Sequence, residues 1–300
     1  MTPVPPDLSV VVPSVNGWSD LEGCLAALAA QRNGARVEVL IADRVGPDLR
    51  ERVRARFPEI RVLEAPAGTS IPRLRALAFE VARAPVVGVI EDHVLVPPDW
   101  AERMLAAHRD GAQAVGGAVA NAATERFVDV AAFLCEYSHC LAPPPAGPAS
   151  WLTGNNVTYR RTLLERFRAV IAREGWENAL HDAFRADGIT LTSQPDIVVG
   201  HRKHFTVAGY GVQRFLYSRS FAGARVRDAG PARRVAYGLA AFLLPPILLW
   251  RLVGNVRRSG RHGASLVRAL PLLILWVSAG AAGEVVGSWF GAGDALQRVC

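Results

Sequence analysis

The chain has 300 residues, half of them hydrophobic, and a formal net charge of +7. That length and apolar content suit one large domain or two smaller ones with a sizeable core. The charge is uneven, because residues 200–300 carry fourteen Lys and Arg against only Asp228, Glu284 and Asp294. These basic residues alternate with long apolar runs, which suits an anionic membrane surface and argues against a nucleic-acid partner. Cys24, Cys135, Cys140 and Cys300 form no Cys-x-x-Cys pair and no zinc-like spacing, so buried thiols in a reducing compartment are expected. The first residues lack a basic start and a long apolar core, and no signal peptide is expected.

The first two hundred residues alternate strand and helix signals. Residues 8–13 read as a buried strand, and a helix follows over 20–31 with Leu21, Cys24, Leu25 and Leu28 on one face. A strand over 37–42 ends at Asp43. A charged helix over 48–57 stops at Pro58, and a third strand covers 60–63. A helix over 71–83 leads into Val86-Val87-Gly88-Val89-Ile90, which stops abruptly at Glu91-Asp92-His93. Buried parallel strands read as continuous Val and Ile runs, and ligands collect at their carboxyl ends. Two acids and an imidazole there suit a divalent cation held against a diphosphate, or an ordinary solvated strand exit. A helix over 98–110 and a strand over 112–119 follow. This alternation indicates βαβ units and a mostly parallel sheet.

The middle is less regular. Residues 124–140 look helical, 143–148 are a proline-rich loop, and 151–159 are extended. Residues 161–173 and 177–186 are helical, and 189–200 give short strands. Residues 204–227 are amphipathic, with Phe205, Val212, Phe215, Leu216 and Phe221 set among Arg214, Arg219 and Arg225, as in an interfacial helix. An apolar run over 235–250 contains Pro245-Pro246 and spans about 24 Å as a helix, short of a hydrocarbon layer of about 30 Å. A second run over 269–290 is interrupted only by Glu284. The linker between them holds Arg257, Arg258, Arg261 and Arg268. Two full spans place this linker across the membrane from Arg233 and Arg234, against the positive-inside rule; a re-entrant hairpin removes the conflict.

Several segments, in order, resemble family 2 glycosyltransferases, which share the GT-A fold. VVVPSVNG (10–17) is similar to the family's opening strand, and IADRVGPD (41–48) stands where the family has VVDDGSTD. RLRALAFEVARAPVVGVIEDH (73–93) parallels its Arg-Asn, helix, strand and Asp-x-Asp pattern. LTGNNVTYRR (152–161) resembles its acceptor-side Gly-Asn segment, and WENALHDAFRADG (176–188) its Glu-Asp helix. His201 and VQRFLYSRSFAGAR (212–225) are similar to its distal segment. The resemblance implies a Rossmann-like, mostly parallel sheet with flanking helices, followed by a hydrophobic helical hairpin. The expected division is a GT-A catalytic domain over 1–203, a basic interfacial segment over 204–230 and a membrane-associated hairpin over 231–300.

The implied activity is inverting transfer of one sugar from a nucleotide-diphosphate sugar to a hydroxyl of a lipid-linked or glycan acceptor. The implied site is the cell membrane, with the catalytic domain cytoplasmic. The resemblance assigns the donor to Pro13, Asn16, Asp43, Arg75, Glu91 and Asp92. It assigns a divalent metal, Mn2+ or Mg2+, to Glu91, Asp92 and His93, and the imidazole suits a transition metal better. Metal-independent action, with His93 or Arg75 facing the diphosphate, is the alternative. Gly154, Asn155, Asn156 and Trp176 are the acceptor candidates. Counting back from Gly188 puts Glu177 at the general base, with Asp182 second. His201 either assists the diphosphate or is a satisfied core histidine. Each of these residues also has a plain structural reading: Asp43 as a turn cap, Asn16 as a helix cap, Glu177 as a first-turn acid.

The chain departs from the family pattern at Ala76, which replaces an Asn, and at Glu91-Asp92-His93. Those departures admit a second reading, a degenerate transferase-like membrane scaffold. A nucleotidyltransferase is disfavoured, because residues 13–20 offer one glycine and no base. Gln213-Arg214-Phe215 lacks the Gln-x-x-Arg-Trp spacing of processive synthases, which implies single-sugar transfer.

Overall fold

A computed structural model describes residues 4–31, 34–141 and 145–299. Cys300 and part of the expected proline-rich loop lie outside the described residues. In chain order the elements are β1 (Leu8–Ser14), α1 (Trp18–Ala29), β2 (Val37–Asp43), α2 (Pro47–Arg56), β3 (Arg61–Glu64), α3 (Ile71–Val81), β4 (Val86–Ile90), β5 (Val94–Leu95), α4 (Trp100–Arg109), β6 (Ala114–Asn121), α5 (Phe127–Tyr137), β7 (Gly147–Ala149) and β8 (Asn156–Arg160). There follow α6 (Arg161–Arg166), α7 (Arg168–Ile171), α8 (Glu177–Ala186), β9 (Leu191–His201), α9 (Val207–Arg225), α10 (Pro231–Ala240), α11 (Leu244–Ser259), α12 (Gly263–Phe290) and α13 (Ala295–Arg298). They divide into two compact units, Met1–Ala122 with Pro143–Arg202, and Ala123–Ala142 with Lys203–Cys300. Residues 123–142, contiguous in sequence with the first domain, therefore group with the C-terminal helices.

The first unit is a mixed sheet with flanking helices. Strands β1 and β4 are buried along their whole length, which explains their unbroken Val and Ile runs. Helix α1 buries Leu21, Cys24, Leu25 and Leu28, a stripe at helical spacing. Helix α3 starts where Ser70 Oγ accepts a hydrogen bond from Arg73 N, with a proline in the first turn.

The strand order is β3-β2-β1-β4-β8-β6-β9-β5, and β7 pairs with β9. Strands β3, β2, β1 and β4 are parallel, as the βαβ pattern predicts. Strand β8 then runs antiparallel to both β4 and β6, and β9 runs parallel to β6. The sheet is thus parallel in its first half and mixed in its second. One consequence matters for chemistry: the carboxyl ends of β1, β2, β4, β6 and β9 share an edge with the amino end of β8, where Asn156 sits opposite Ile90.

In the second unit α9 packs along α12 through glycines. A Cβ at Gly283 would lie 2.2 Å from the Phe215 carbonyl, and one at Gly287 would lie 2.5 Å from that of Arg219. Tyr210 meets Trp276 edge-on at 4.5 Å. Glu284, the acid inside the second apolar run, is paired to Arg225 at 2.8 Å. Pro245 and Pro246 do not break the helix. They fall in the first turn of α11, where a missing N–H leaves nothing unsatisfied, and a 3-10 turn over Ala241–Leu243 joins α10 to it. The helical stretch therefore runs over Pro231–Ser259, 29 residues, and α12 runs over 28. At 1.5 Å per residue both reach about 42 Å, so both are long and apolar enough to cross a membrane.

Candidate active site

The shared sheet edge collects the polar side chains of the first unit. The chain leaves β4 at Glu91, and a turn is closed by Val94 N donating to Glu91 O at 3.0 Å. His93 Nε2 lies 3.3 Å from Glu91 Oε2 and 2.9 Å from His201 Nε2 at the end of β9. The ligand atoms of Glu91, His93 and His201 all lie within 4.8 Å of one another. Two ligands about 2.1 Å from one ion and at right angles stand about 3.0 Å apart, so this spacing fits a divalent cation. Burial opposes ionisation of Glu91. The positive charge around it, Arg75 included, outweighs this and holds the carboxyl well below the usual range.

From this cluster the site continues toward α8. Asn155 Nδ2 donates to Glu91 Oε2 at 3.3 Å. Its neighbour Gly154 offers a carbonyl to Arg75 Nη2 at 3.4 Å, and Arg75 Nη1 pairs with Glu177 Oε2 at 2.8 Å. Burial alone would lower the Arg75 pKa, but Glu177 and Glu91 raise it, so the guanidinium stays charged. Its Nε is buried with no hydrogen-bond partner among the described residues. Arg75, Gly154, Tyr159, Trp176, Glu177 and Leu180 line one cleft. Gly154 is required for this approach, because a Cβ there would meet Glu177 Cδ at 2.2 Å.

Several sequence expectations need correction. Asp92 does not join the cation cluster. It is 1% exposed and turned the other way, its oxygens taken by Val15 N, Asn16 N, Asn16 Nδ2 and His93 Nδ1. The backbone N–H and the side-chain NH2 of Asn16 both donate to Asp92. Asp43 is fully buried. Ser14 Oγ, Val45 N, Gly46 N and Arg50 Nε all donate to it, so its carboxylate builds the loop after β2 instead of reading a base edge. Pro13 is a buried strand residue paired with Ala42.

Asn156 is also interior: it donates to Ala118 O and Ile197 O and accepts from Trp100 Nε1, which leaves nothing for an acceptor. Only Asn155 of that pair faces the site, because successive residues entering a strand point to opposite faces. Asp182 lies on the solvent side of α8, paired with Arg185, and does not line the cleft. Five residues on from Glu177, it is rotated well off the inward face held by Leu180, His181 and Phe184. From the sequence, His201 is either beside a diphosphate or in the core, and its grouping with Glu91 and His93 is not foreseen. The available signal was a polar residue closing the apolar strand Ile197-Val198-Val199.

Behind the cleft, His181 Nε2 is 2.7 Å from Tyr159 Oη. His108 bridges Thr158 Oγ1 and Ala112 O, both at 2.9 Å. Burial pushes each imidazole down to about 4. Unfolded histidines titrate near 6.5, so the unfolded chain takes up protons first as pH falls. Stability is therefore complete above pH 6.5 and drains away between 6.5 and 4, by about 3 kcal/mol per histidine at pH 4. Denaturant titrations across that window should show the fall, and a flat profile from 6.5 to 4.5 would refute the neutral assignment.

Comparison with known proteins agrees with this geometry. Residues 9–140 match the model for glycosyl transferase family 2. The mannosyltransferase PcManGT from Pyrobaculum calidifontis, solved in complex with GDP-Man and Mn2+, superposes with a TM-score of 0.52 at 17% identity, over 94% of this chain and 88% of that one. TarS residues 1–349 from S. aureus superpose with a TM-score of 0.51 at 14% identity, over 93% and 90%. No curated protein sequence matches the chain closely enough to be called a relative. The chain is thus a glycosyltransferase on a GT-A fold, with residues 9–140 matching the family 2 model.

Proposed function

We propose that this enzyme transfers one sugar, with inversion, from a nucleotide-diphosphate sugar to a hydroxyl of a membrane-borne acceptor. The observation that carries the reading is one continuous rim. The cation cluster of Glu91, His93 and His201 is joined to the Arg75–Glu177 pair through Gly154 and Asn155. A divalent cation held by the three ligands would offset the charge of the leaving diphosphate as a Lewis acid. Arg75, charged and lining the same cleft, supplies a second positive charge beside it. Glu177 stands across the rim, placed to take the proton of the attacking hydroxyl. Inversion follows from attack on the face opposite the departing diphosphate. The relative solved with GDP-Man and Mn2+ supports a nucleotide-sugar donor and a Mn2+-type ion.

The second unit supports the membrane part of the reading. Leu239, Phe242, Leu243, Trp250, Ile274 and Phe290 are exposed on long apolar helices, flanked by Arg233, Arg234, Arg257 and Arg258. Such a surface suits hydrocarbon bounded by anionic headgroups. A cytoplasmic catalytic domain is the arrangement that gives it access to nucleotide sugars, and a lipid-linked acceptor then shares the surface with the enzyme. The test uses the full chain in detergent. With Mn2+ present, one member of a nucleotide-sugar panel should bind and be turned over, and chelation should remove at least 90% of the turnover until Mn2+ is restored. No binding of any nucleotide sugar with Mn2+ present would overturn the proposal.

A further inference from the structure

The turn closed by Val94 N and Glu91 O brings His93 Nε2 to 3.3 Å from Glu91 Oε2, while the Asp92 carboxylate is held by the loop after β1. Asp92 Oδ2 accepts from Val15 N and Asn16 N, both at 2.9 Å. Its Oδ1 accepts from Asn16 Nδ2 at 2.7 Å and stands 3.0 Å from His93 Nδ1. An ionised carboxylate only accepts, so Nδ1 of His93 carries a proton and Nε2 presents a lone pair. That lone pair faces Glu91 Oε2 and His201 Nε2. We propose that Asp92 is a positioning residue: clamped by the loop after β1, it fixes the ring and tautomer of His93 so that Nε2 can serve a divalent cation beside Glu91 and His201.

The arrangement accounts for the unusual triplet. A carboxylate ligand needs no partner for a second atom, whereas an imidazole ligand must place its other N–H. Metal-bound histidines generally give that N–H to a carboxylate or carbonyl. Here the middle residue of the triplet receives it, and Asn16 holds the receiver. The inference rests on the metal reading above but makes its own prediction. In Asp92→Asn the two backbone N–H groups of Val15 and Asn16 still require an acceptor, so the amide oxygen turns to them. Its NH2 then faces His93 Nδ1, which becomes the acceptor and moves the proton to Nε2, where a cation would bind.

Mn2+ alone, titrated into the full chain in detergent and followed by EPR of the free ion, should bind wild type. Asp92→Asn should weaken binding by 10- to 100-fold, the usual cost of losing such a support. Pulsed EPR should count two imidazole nitrogens in wild type and one in the variant. In a His93→Ala background, Asp92→Asn should change affinity less than twofold, because no ring remains to orient. An equal loss in both backgrounds, or wild-type affinity and two nitrogens in Asp92→Asn, would overturn the inference while leaving the metal reading intact. Absence of Mn2+ binding to wild type would overturn both. Should the variant fail to fold, 15N NMR of metal-free wild type decides: the proton of His93 is expected on Nδ1, and a proton on Nε2 refutes the assignment.

Discussion

Glu177→Gln should lower turnover by about 10²- to 10⁴-fold with nucleotide-sugar binding nearly unchanged, the loss typical of a general base. The substitution keeps the volume of the side chain and an oxygen for Arg75 Nη1, now 2.8 Å from Glu177 Oε2. It removes the charge and the ability to accept the acceptor's proton. Binding and chemistry are thereby separated: donor affinity by calorimetry reports the cation cluster and Arg75, while single-turnover rate reports Glu177. A comparison with Glu177→Asp, which keeps the base but shortens the arm, distinguishes loss of the proton acceptor from loss of the ion pair. More than a tenth of wild-type turnover in Glu177→Gln would remove this residue from the base role.

Gly154→Ala should cost about 10²-fold in turnover while changing stability by less than about 1 kcal/mol. The added methyl touches no catalytic group chemically. It would stand 2.2 Å from Glu177 Cδ and 2.4 Å from Oε1, so the carboxylate must withdraw by roughly 1 Å. Glu177 is a flexible, partly exposed side chain at the first turn of α8, so it can move without disturbing the core, and Gly154 has no left-handed backbone angle to lose. A misplacement of about 1 Å between base and hydroxyl is enough for a loss of about 10²-fold. A thermal melt within a few degrees of wild type, together with the rate loss, would establish that the position of Glu177 matters and not merely its presence. Turnover within threefold of wild type would show that the base has slack, or that it lies elsewhere.

The parallel half of the sheet was legible because β1, β2 and β4 are buried almost throughout and α1 carries a single apolar stripe. Glu91, Asp92 and His93 were legible as a polar triplet at a strand end, but the turn closed by Val94 N, which decides which two stand together, was not. What resisted reading was the engagement of side chains by distant backbone. Asp43 reads as a free carboxylate at a strand end. Its capture depends on the loop at Gly46, whose φ of 143° lets the chain turn its N–H inward, and on Arg50 one helical turn later. Asp92 likewise reads as a ligand until Val15 and Asn16, 76 or 77 positions away, are seen to hold it. Asn155 and Asn156 look equivalent as letters, and the register of β8 against β4 sends the second into the core. The antiparallel placement of β8 itself left no trace in composition, because its buried residues look the same in either direction.

The glycine seam between α9 and α12 has a mechanical consequence. Where two backbones touch at Gly283 and Gly287, neither an acyl chain nor a detergent tail can wedge between them, and a single methyl at Gly283 would pry the pair apart. In the membrane-borne arrangement proposed above, the two should leave the bilayer during extraction as one stiff strut. Exchange of surrounding lipid and limited proteolysis should concentrate instead on the outward faces of α10 and α11 and on the junctions around residues 226–230 and 260–262.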